Sequence, residues 1–287
     1  MNYVVFIISH GRSDNVKTVS ALEECGYSGK TLIVIDNTDS QIDEYKVRYG
    51  EKNVIVFDKE AIAKTTDQAD NFNNLRTTTH ARNACFEIAK TLGYEYFIVL
   101  DDDYTVFHYR FNALFDFENP RKKIKNLDAV FDSIFKFYSD CPTVDSIAMS
   151  QGGEFMGGVG SWFGQKIRFK RKCMNSFFCS TKRPFKFVSR LNEDVNTYVS
   201  RGVRGKIFFT TGQVSLEQVQ TQKSSGGMTE AYIENGTYVK SFYTVMYQPS
   251  SVRVQHRMNR WHHTIKWDRT VPMILREKVK KAMISDG

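Results

Sequence analysis

An apolar strand, Phe97-Ile98-Val99-Leu100, stops on three consecutive carboxylates, Asp101, Asp102 and Asp103. Like charges this close repel one another, and a hard divalent cation relieves the repulsion. Mg²⁺ and Mn²⁺ accept one or two protein carboxylates and complete their shell with water and substrate phosphates. Open α/β sheets bind ligands beyond the carboxyl ends of their strands, so the expected chemistry is a metal-bound diphosphate. The plain alternative is an acidic surface turn. Upstream, Arg82 falls in the first turn of a helix opening His80-Ala81-Arg82-Asn83, where free amides and the helix dipole favour a phosphate or uridine. Asp36 and Asn37 end another strand and offer a carboxylate and an amide to a nucleoside, or form a turn. The pair Gln151-Gly152 lets the backbone approach a ligand closely, or only turns the chain.

A second set of residues suits a polyanion. No acidic residue occurs between Glu154 and Glu193, yet Lys166, Arg168, Lys170, Arg171, Lys172, Lys182, Arg183, Lys186 and Arg190 all do, interleaved with Trp162, Phe163, Phe169, Phe177 and Phe178. Cations for phosphates and rings for bases fit a nucleic-acid surface. The competing reading is a solvated basic face over core aromatics.

The elements that must position these groups alternate in the first third of the chain. Tyr3 to Ile8 is a buried strand ending at Ser9-His10-Gly11-Arg12. Ser13 or Asp14 caps a helix with Val16, Val19, Leu22 and Cys25 inward, which Gly26 closes. Thr31 to Ile35 and Asn53 to Phe57 read as strands, with a short helix over Gln41 to Tyr49 between them. Residues 59–78 read as a polar, functional loop. Ala81, Ala84, Cys85, Ile88, Ala89 and Leu92 then form one apolar helical stripe. Asn119-Pro120 looks like a cap and first helical residue, opening a helix that carries Ile124, Leu127, Phe131, Ile134 and Tyr138 inward. Ser146 to Met149 is a strand, glycines follow from 152 to 160, and Ser224 to Gly227 makes a lid or a hairpin. The pattern predicts an α/β fold, with a mostly parallel central sheet flanked by helices and a mixed α+β remainder. One continuous domain, 1–287, is expected.

Composition agrees. A chain of 287 residues with 41% hydrophobic and 25% charged residues buries a full core and is not a disordered polymer. No apolar run approaches the roughly 18 residues of a spanning helix, so a cytoplasmic protein is expected. Five scattered cysteines have neither zinc-ribbon nor disulfide spacing. The net charge of +8 suits a polyanionic partner.

Taken together, a first strand with Ser9 and Arg12, a strand ending at Asp36, the Ala81-Arg82-Asn83 helix start and Leu100-Asp101-Asp102-Asp103 resemble the GT-A fold of nucleotide-sugar glycosyltransferases. With Ser9-His10-Gly11-Arg12, Asn192-Glu193-Asp194-Val195 and His262-His263 added, the chain is similar to the phage and eukaryotic glycosyltransferases associated with base-hydroxylating dioxygenases. The resemblance implies a Rossmann-like nucleotide-sugar half over 1–105 and an acceptor half over 106–287 that includes the basic segment 166–190. It makes Asp103 a metal ligand and gives Asp101 a ribose or metal contact. It also places a distal histidine on the metal, His263 first, with His262 and His256 as alternatives. Glu193-Asp194 implies a general base, Asp194 first and Glu193 second. The residues alone also allow both acids to serve the first turn of a helix over Val195 to Arg201.

The reaction these expectations describe is Mn²⁺- or Mg²⁺-dependent, inverting transfer of a hexose, glucose from UDP-glucose, to a hydroxymethylated pyrimidine in DNA. One rival keeps the donor chemistry with a glycan, lipid or protein acceptor. Another is a non-catalytic nucleic-acid-binding module, and a third is nucleotidyl transfer.

Overall fold

In β1 (Tyr3–Ile8), Val5 and Ile7 enter one apolar cluster while Val4, Phe6 and Ile8 enter another. A strand buried on both faces needs no polar alternation, which is why it reads as a continuous apolar run. The chain, described here by a computed structural model over residues 1–114, 117–151, 170–218, 229–257 and 259–271, repeats this arrangement. After β1 come α1 (Lys17–Glu24), β2 (Thr31–Asp36), α2 (Ile42–Tyr49), β3 (Val54–Phe57), α3 (Lys59–Ala63), α4 (Thr79–Thr91) and β4 (Tyr96–Asp101). Then follow β5 (Tyr104–Phe111), β6 (Phe117–Lys123), α5 (Leu127–Asp140), β7 (Val144–Gln151), β8 (Ser176–Ser180), α6 (Glu193–Gly202) and β9 (Ile207–Gln218). The last described elements are α7 (Thr229–Tyr247), interrupted at Gly236, and an antiparallel ribbon of β10 (Val252–Arg257) and β11 (Arg260–Ile265).

Nine strands form one sheet in the order β3-β2-β1-β4-β8-β7-β9-β5-β6. The β3-β2-β1-β4 half is parallel throughout. Beyond it β8 runs antiparallel to β4, and β7 and β9 form a further parallel pair. This is the α/β sheet with a mixed second half that the sequence predicts. Side chains from α1, α2 and α5 cover one face, including Leu22, Tyr45, Phe131 and Phe135. Side chains from α4 and α6 cover the other, including Cys85, Phe86, Tyr198 and Val199. Each such buried apolar side chain contributes about 1.5–3 kcal/mol.

Three local expectations are corrected. Asn119 and Pro120 lie in β6, and the following helix starts at Leu127, where the Asn126 side chain accepts from the Ala129 amide at 3.0 Å. Neither Ser13 nor Asp14 caps α1, which begins at Lys17 after an uncapped Val16. The 59–78 loop opens with the short α3, capped by Asp58. Ser224 to Gly227 and the glycines from 152 to 160 lie outside the described residues. No helix among the described residues is long and apolar enough to cross a membrane.

Candidate active site

The parallel half delivers β1, β2 and β4 to a common edge, and a cleft of about 360 Å³ opens there. Ser9, His10, Arg12, Asp36, Arg82 and all three aspartates of the triplet line it. Gln151, Lys172, Asn192, Glu193, Asp194 and His263, from the second half of the chain, line it as well. Residues far apart in sequence meet because the sheet edge collects the ends of several strands.

The three aspartates have different surroundings. The Asp102 carboxylate accepts from Ser9 Oγ at 2.6 Å and from an Arg12 guanidinium nitrogen at 2.9 Å. Burial pushes its pKa up, against the counteracting Arg12 charge and Ser9 hydrogen bond. Asp101 accepts from Arg82 at 2.9 Å. Asp103 has a buried carboxylate oxygen with no hydrogen-bond partner among the described residues. Burial, then repulsion from Asp101 and Asp102, pushes its pKa up to about 7. Helix α1 fixes the backbone here: the Thr18 hydroxyl donates to the Asp101 carbonyl at 2.6 Å, and the Thr18 amide donates to that of Asp102 at 3.2 Å.

Arg82 is buried in the cleft lining between Asp101 and Glu193. One nitrogen donates to Asp101, another lies 2.7 Å from Glu193 Oε1, and its carbon sits 4.9 Å over the Phe177 ring. Burial alone would depress its pKa, but Asp101, Glu193 and Asp194 outweigh it and hold the guanidinium charged. The charge expected to meet a phosphate is thus already shared between carboxylates. Glu193 also accepts from the Thr78 hydroxyl at 2.6 Å, which leaves it engaged. Among the described residues, its neighbour Asp194 accepts one hydrogen bond, from the adjacent Val195 amide at 2.7 Å. Burial and the Glu193 charge push the Asp194 carboxyl up to about 6, against the pull of Arg82.

The turn before α6 presents these acids at a backbone cost. Ser189 and Asn192 both take positive φ, 81° and 54°, a conformation that costs non-glycine residues of order 1–3 kcal/mol unless the surroundings hold it. The surroundings are dense. The Asn192 amide donates to the Lys240 carbonyl at 2.9 Å and lies 3.4 Å from His263 Nδ1. The Ser189 amide donates to the Asp67 carbonyl at 2.6 Å, and Arg190 pairs with Asp70 at 2.9 Å while Tyr243 donates to the same carboxylate.

Among the described residues His263 Nε2 is buried without a hydrogen-bond partner, and burial followed by the Lys172 and Lys240 charges lowers the imidazole to about 3. It is therefore neutral, the form that ligates metals. Of His256, His262 and His263, only His263 lines the cleft. Among the described residues, no three His, Cys, Asp or Glu side chains converge into a complete metal-binding set. The orphaned Asp103 oxygen and the neutral His263 fit a partial shell that a substrate's phosphates complete.

Other residues are placed differently from expectation. Asp36 reaches the cleft, but it is held by His10 Nδ1 at 2.9 Å, Lys59 Nζ at 3.2 Å and the Thr38 hydroxyl. Burial raises its carboxyl, and those partners together pull it well below the usual carboxylate range. Asn37 does not line the cleft; its side chain accepts from the Lys59 amide at 3.1 Å. Gln151 lines the cleft and donates to Gln218 at 2.8 Å, while Gly152 lies outside the described residues.

The basic segment does not gather at the cleft. Lys172 reaches it, Lys170 pairs with Asp268, and Arg171 lines a small pocket with Tyr198 and Trp267. Lys182 and Arg183 follow β8, whose antiparallel course beside β4 carries them to the opposite end of the sheet. There Lys182 pairs with Glu95 at 2.8 Å, and Arg183 donates to the Tyr138, Cys141 and Val144 carbonyls at 2.7–3.0 Å. The structure therefore places Lys182 and Arg183 away from the cleft. Lys166 and Arg168 lie outside the described residues. Sequence reasoning missed His10, Lys59, Arg76 and Lys240, all lining the cleft. His10 had a signal, since it follows a strand end between Ser9 and Arg12.

Similar folds occur in solved structures. The S. aureus TarS 1–349 structure in complex with UDP-GlcNAc matches with a TM-score of 0.51 at 12% identity, covering 86% of this chain and 65% of that one. TarS 1–349 in complex with UDP matches at 0.47 and 12% identity over 77% of this chain, which spans 62% of the TarS fragment's length. Mycobacterium tuberculosis glucosyl-3-phosphoglycerate synthase, with Mn²⁺, UDP and phosphoglyceric acid, gives 0.45 at 7% identity, covering 97% and 91% of the two chains. Curated protein sequences contain no significant match. Residues 3–227 match the model of the TET-Associated Glycosyltransferase family, and with the GT-A architecture and a cleft built around Asp101–Asp103 already described, the chain belongs to that family.

Proposed function

We propose that this chain transfers a sugar, glucose from UDP-glucose first among the candidates, to the hydroxymethyl group of a modified pyrimidine in DNA, with inversion at the anomeric carbon. The observation that carries the reading is that Asp101, Asp103 and Asp194 line a single cleft. A UDP-sugar donor accords with the UDP-GlcNAc bound by TarS, and the acceptor with the family's association with TET proteins.

Asp103, Asp101 and His263 would hold Mn²⁺ or Mg²⁺, which when bound supplies charge to stabilise the departing diphosphate. Asp102 acts as a tie: through Ser9 and Arg12 it fixes the loop that presents its neighbours. Asp194 accepts the acceptor hydroxyl's proton as that oxygen attacks the sugar, since its raised pKa makes it a stronger base than an ordinary aspartate. Glu193, engaged by Arg82 and Thr78, positions the helix start rather than taking the proton.

The test is UDP release from a panel of UDP-sugars with Mn²⁺ and hydroxymethylated DNA, beside unmodified DNA and the Asp103→Ala variant. Release that requires the hydroxymethyl group, with a matching mass gain on the DNA and loss in the variant, is the expected result. Donor hydrolysis indifferent to every DNA would remove the acceptor assignment, and no donor binding would remove the reading altogether.

A further inference from the structure

Two lysines, Lys172 and Lys240, line the cleft together with Asp194 and His263. Neither lysine's own stretch of chain supplies a counter-charge. The sequence holds no acidic residue between Glu154 and Glu193, nor between Glu234 and Asp268. Backbone tethers fix both segments at the site. The Lys172 carbonyl accepts from the Thr210 hydroxyl of β9, and three residues on, the Asn175 carbonyl accepts from the hydroxyl of Tyr104, which follows Asp103 in the chain. The Lys240 carbonyl accepts from the Asn192 side-chain amide at 2.9 Å, and the same amide lies 3.4 Å from His263 Nδ1. Asn192 directly precedes Glu193 and Asp194, so Lys240 and His263 are tied to the turn that presents the proposed base.

The two ammonium groups act on one another and on their surroundings. Burial pushes the Lys240 pKa down, Asp194 and Glu193 pull it up, and Lys172 pushes it down again. Both lysine charges act on the His263 ring, and that of Lys240 acts on Asp194. Glu193 already serves Arg82 and Thr78. Like charges gathered in a partly buried cleft are stabilised when an anion joins them. Ammonium groups on flexible stems, each with three donors, suit the oxygens of a phosphate. The donor's diphosphate has its own counter-charge in the metal proposed at Asp101 and Asp103. The lysines instead stand with Asp194, the group that must meet the acceptor hydroxyl.

We propose that Lys172 and Lys240 form a phosphate subsite that takes a phosphodiester group of the DNA acceptor and so sets the acceptor hydroxyl against Asp194. The choice of DNA rests on the proposed function.

Fluorescence anisotropy with a labelled, unmodified deoxyoligonucleotide of about ten nucleotides, single-stranded or as a duplex, reads the subsite without donor or metal. Lys172→Gln with Lys240→Gln should weaken binding about five- to eightfold at about 0.1 M salt, the effect of one lost phosphate contact. The slope of log K against log salt should flatten by about 0.7 on the single strand or about 0.9 on the duplex. Lys172→Arg with Lys240→Arg keeps both charges and should keep affinity and slope. Lys172→Gln alone, at a partly exposed position, should move both quantities in the same direction, so the test survives a double variant that does not fold. Calorimetry of UDP with Mn²⁺ is the second arm, and it should match wild type in every variant whose melting temperature is retained. Wild-type oligonucleotide affinity and slope in the glutamine variants overturn the proposal. So does loss of UDP binding with oligonucleotide binding unchanged, which would give the lysines to the donor's diphosphate. Transfer to hydroxymethylated DNA by a wild type whose glutamine variants bind DNA normally removes the subsite and keeps the proposed function; a wild type that binds neither form of DNA removes both.

Discussion

The cleft carboxylates differ in their surroundings, and the roles proposed for them follow from that difference. Asp194→Asn should lower kcat by about 10²–10⁴-fold while UDP binding holds, as removal of a general base requires. Glu193→Gln should instead lower the melting temperature, since it weakens the partner of buried Arg82; kinetics and thermal melts on both variants separate the roles. With Asp194 raised to about 6, its ionised form grows as pH rises through that value, so kcat/KM should fall as pH drops below about 6. Asp103 gives an opposite sign for stability. Folding raises its pKa to about 7, so metal-free protein loses stability as pH climbs from about 4 to about 7. Asp103→Asn should remove that loss, raising the melting temperature of metal-free protein near neutral pH while abolishing the stabilisation that Mn²⁺ gives the wild type. The triplet was legible because three acids after an apolar strand leave few other readings. Its internal division was not, because it depends on Ser9 and Arg12, which approach only through the pairing of β1 with β4.

At the scale of elements, the parallel half could be read from continuous apolar runs ending in polar residues, and β1 to β4 fall where those runs lie. The antiparallel additions could not. β6 includes Asn119-Pro120, whose local chemistry resembles a helix start, and only the pairing of Tyr109 with Lys122 and His108 with Lys123 makes it a strand. Similarly, a charge run carries no direction: Lys182 and Arg183 lie far from Lys172's end of the sheet because β8 runs back along β4. The strap before α6 is held by the Asp70–Arg190–Tyr243 network rather than by local propensity. Arg190→Met should therefore cost about 3–5 kcal/mol, as removal of one partner from a buried ion pair does. Chemical denaturation measures that loss, and a cost below about 1 kcal/mol would mean the strap holds itself.

For the whole molecule, the sheet runs unbroken from β3 to β6, and Ile98 of β4 and Phe178 of β8 share one apolar cluster across the junction of its two halves. One cooperative transition, coincident by calorimetry and by tryptophan fluorescence, is the expected unfolding behaviour; Trp261 and Trp267 report from the second half. Two resolved transitions would mean that the halves are separate cooperative units. Across that same junction one guanidinium, Arg82, is divided between Asp101 and Glu193. Any cation that neutralises Asp101 returns more of Arg82's positive charge to the far side, where it makes Asp194 more acidic. Donor and acceptor occupancy are then thermodynamically linked, and linkage runs both ways with equal strength. The order in which the substrates bind becomes a property of a single shared charge, and the pH profile of the loaded enzyme should sit on the acid side of the empty one.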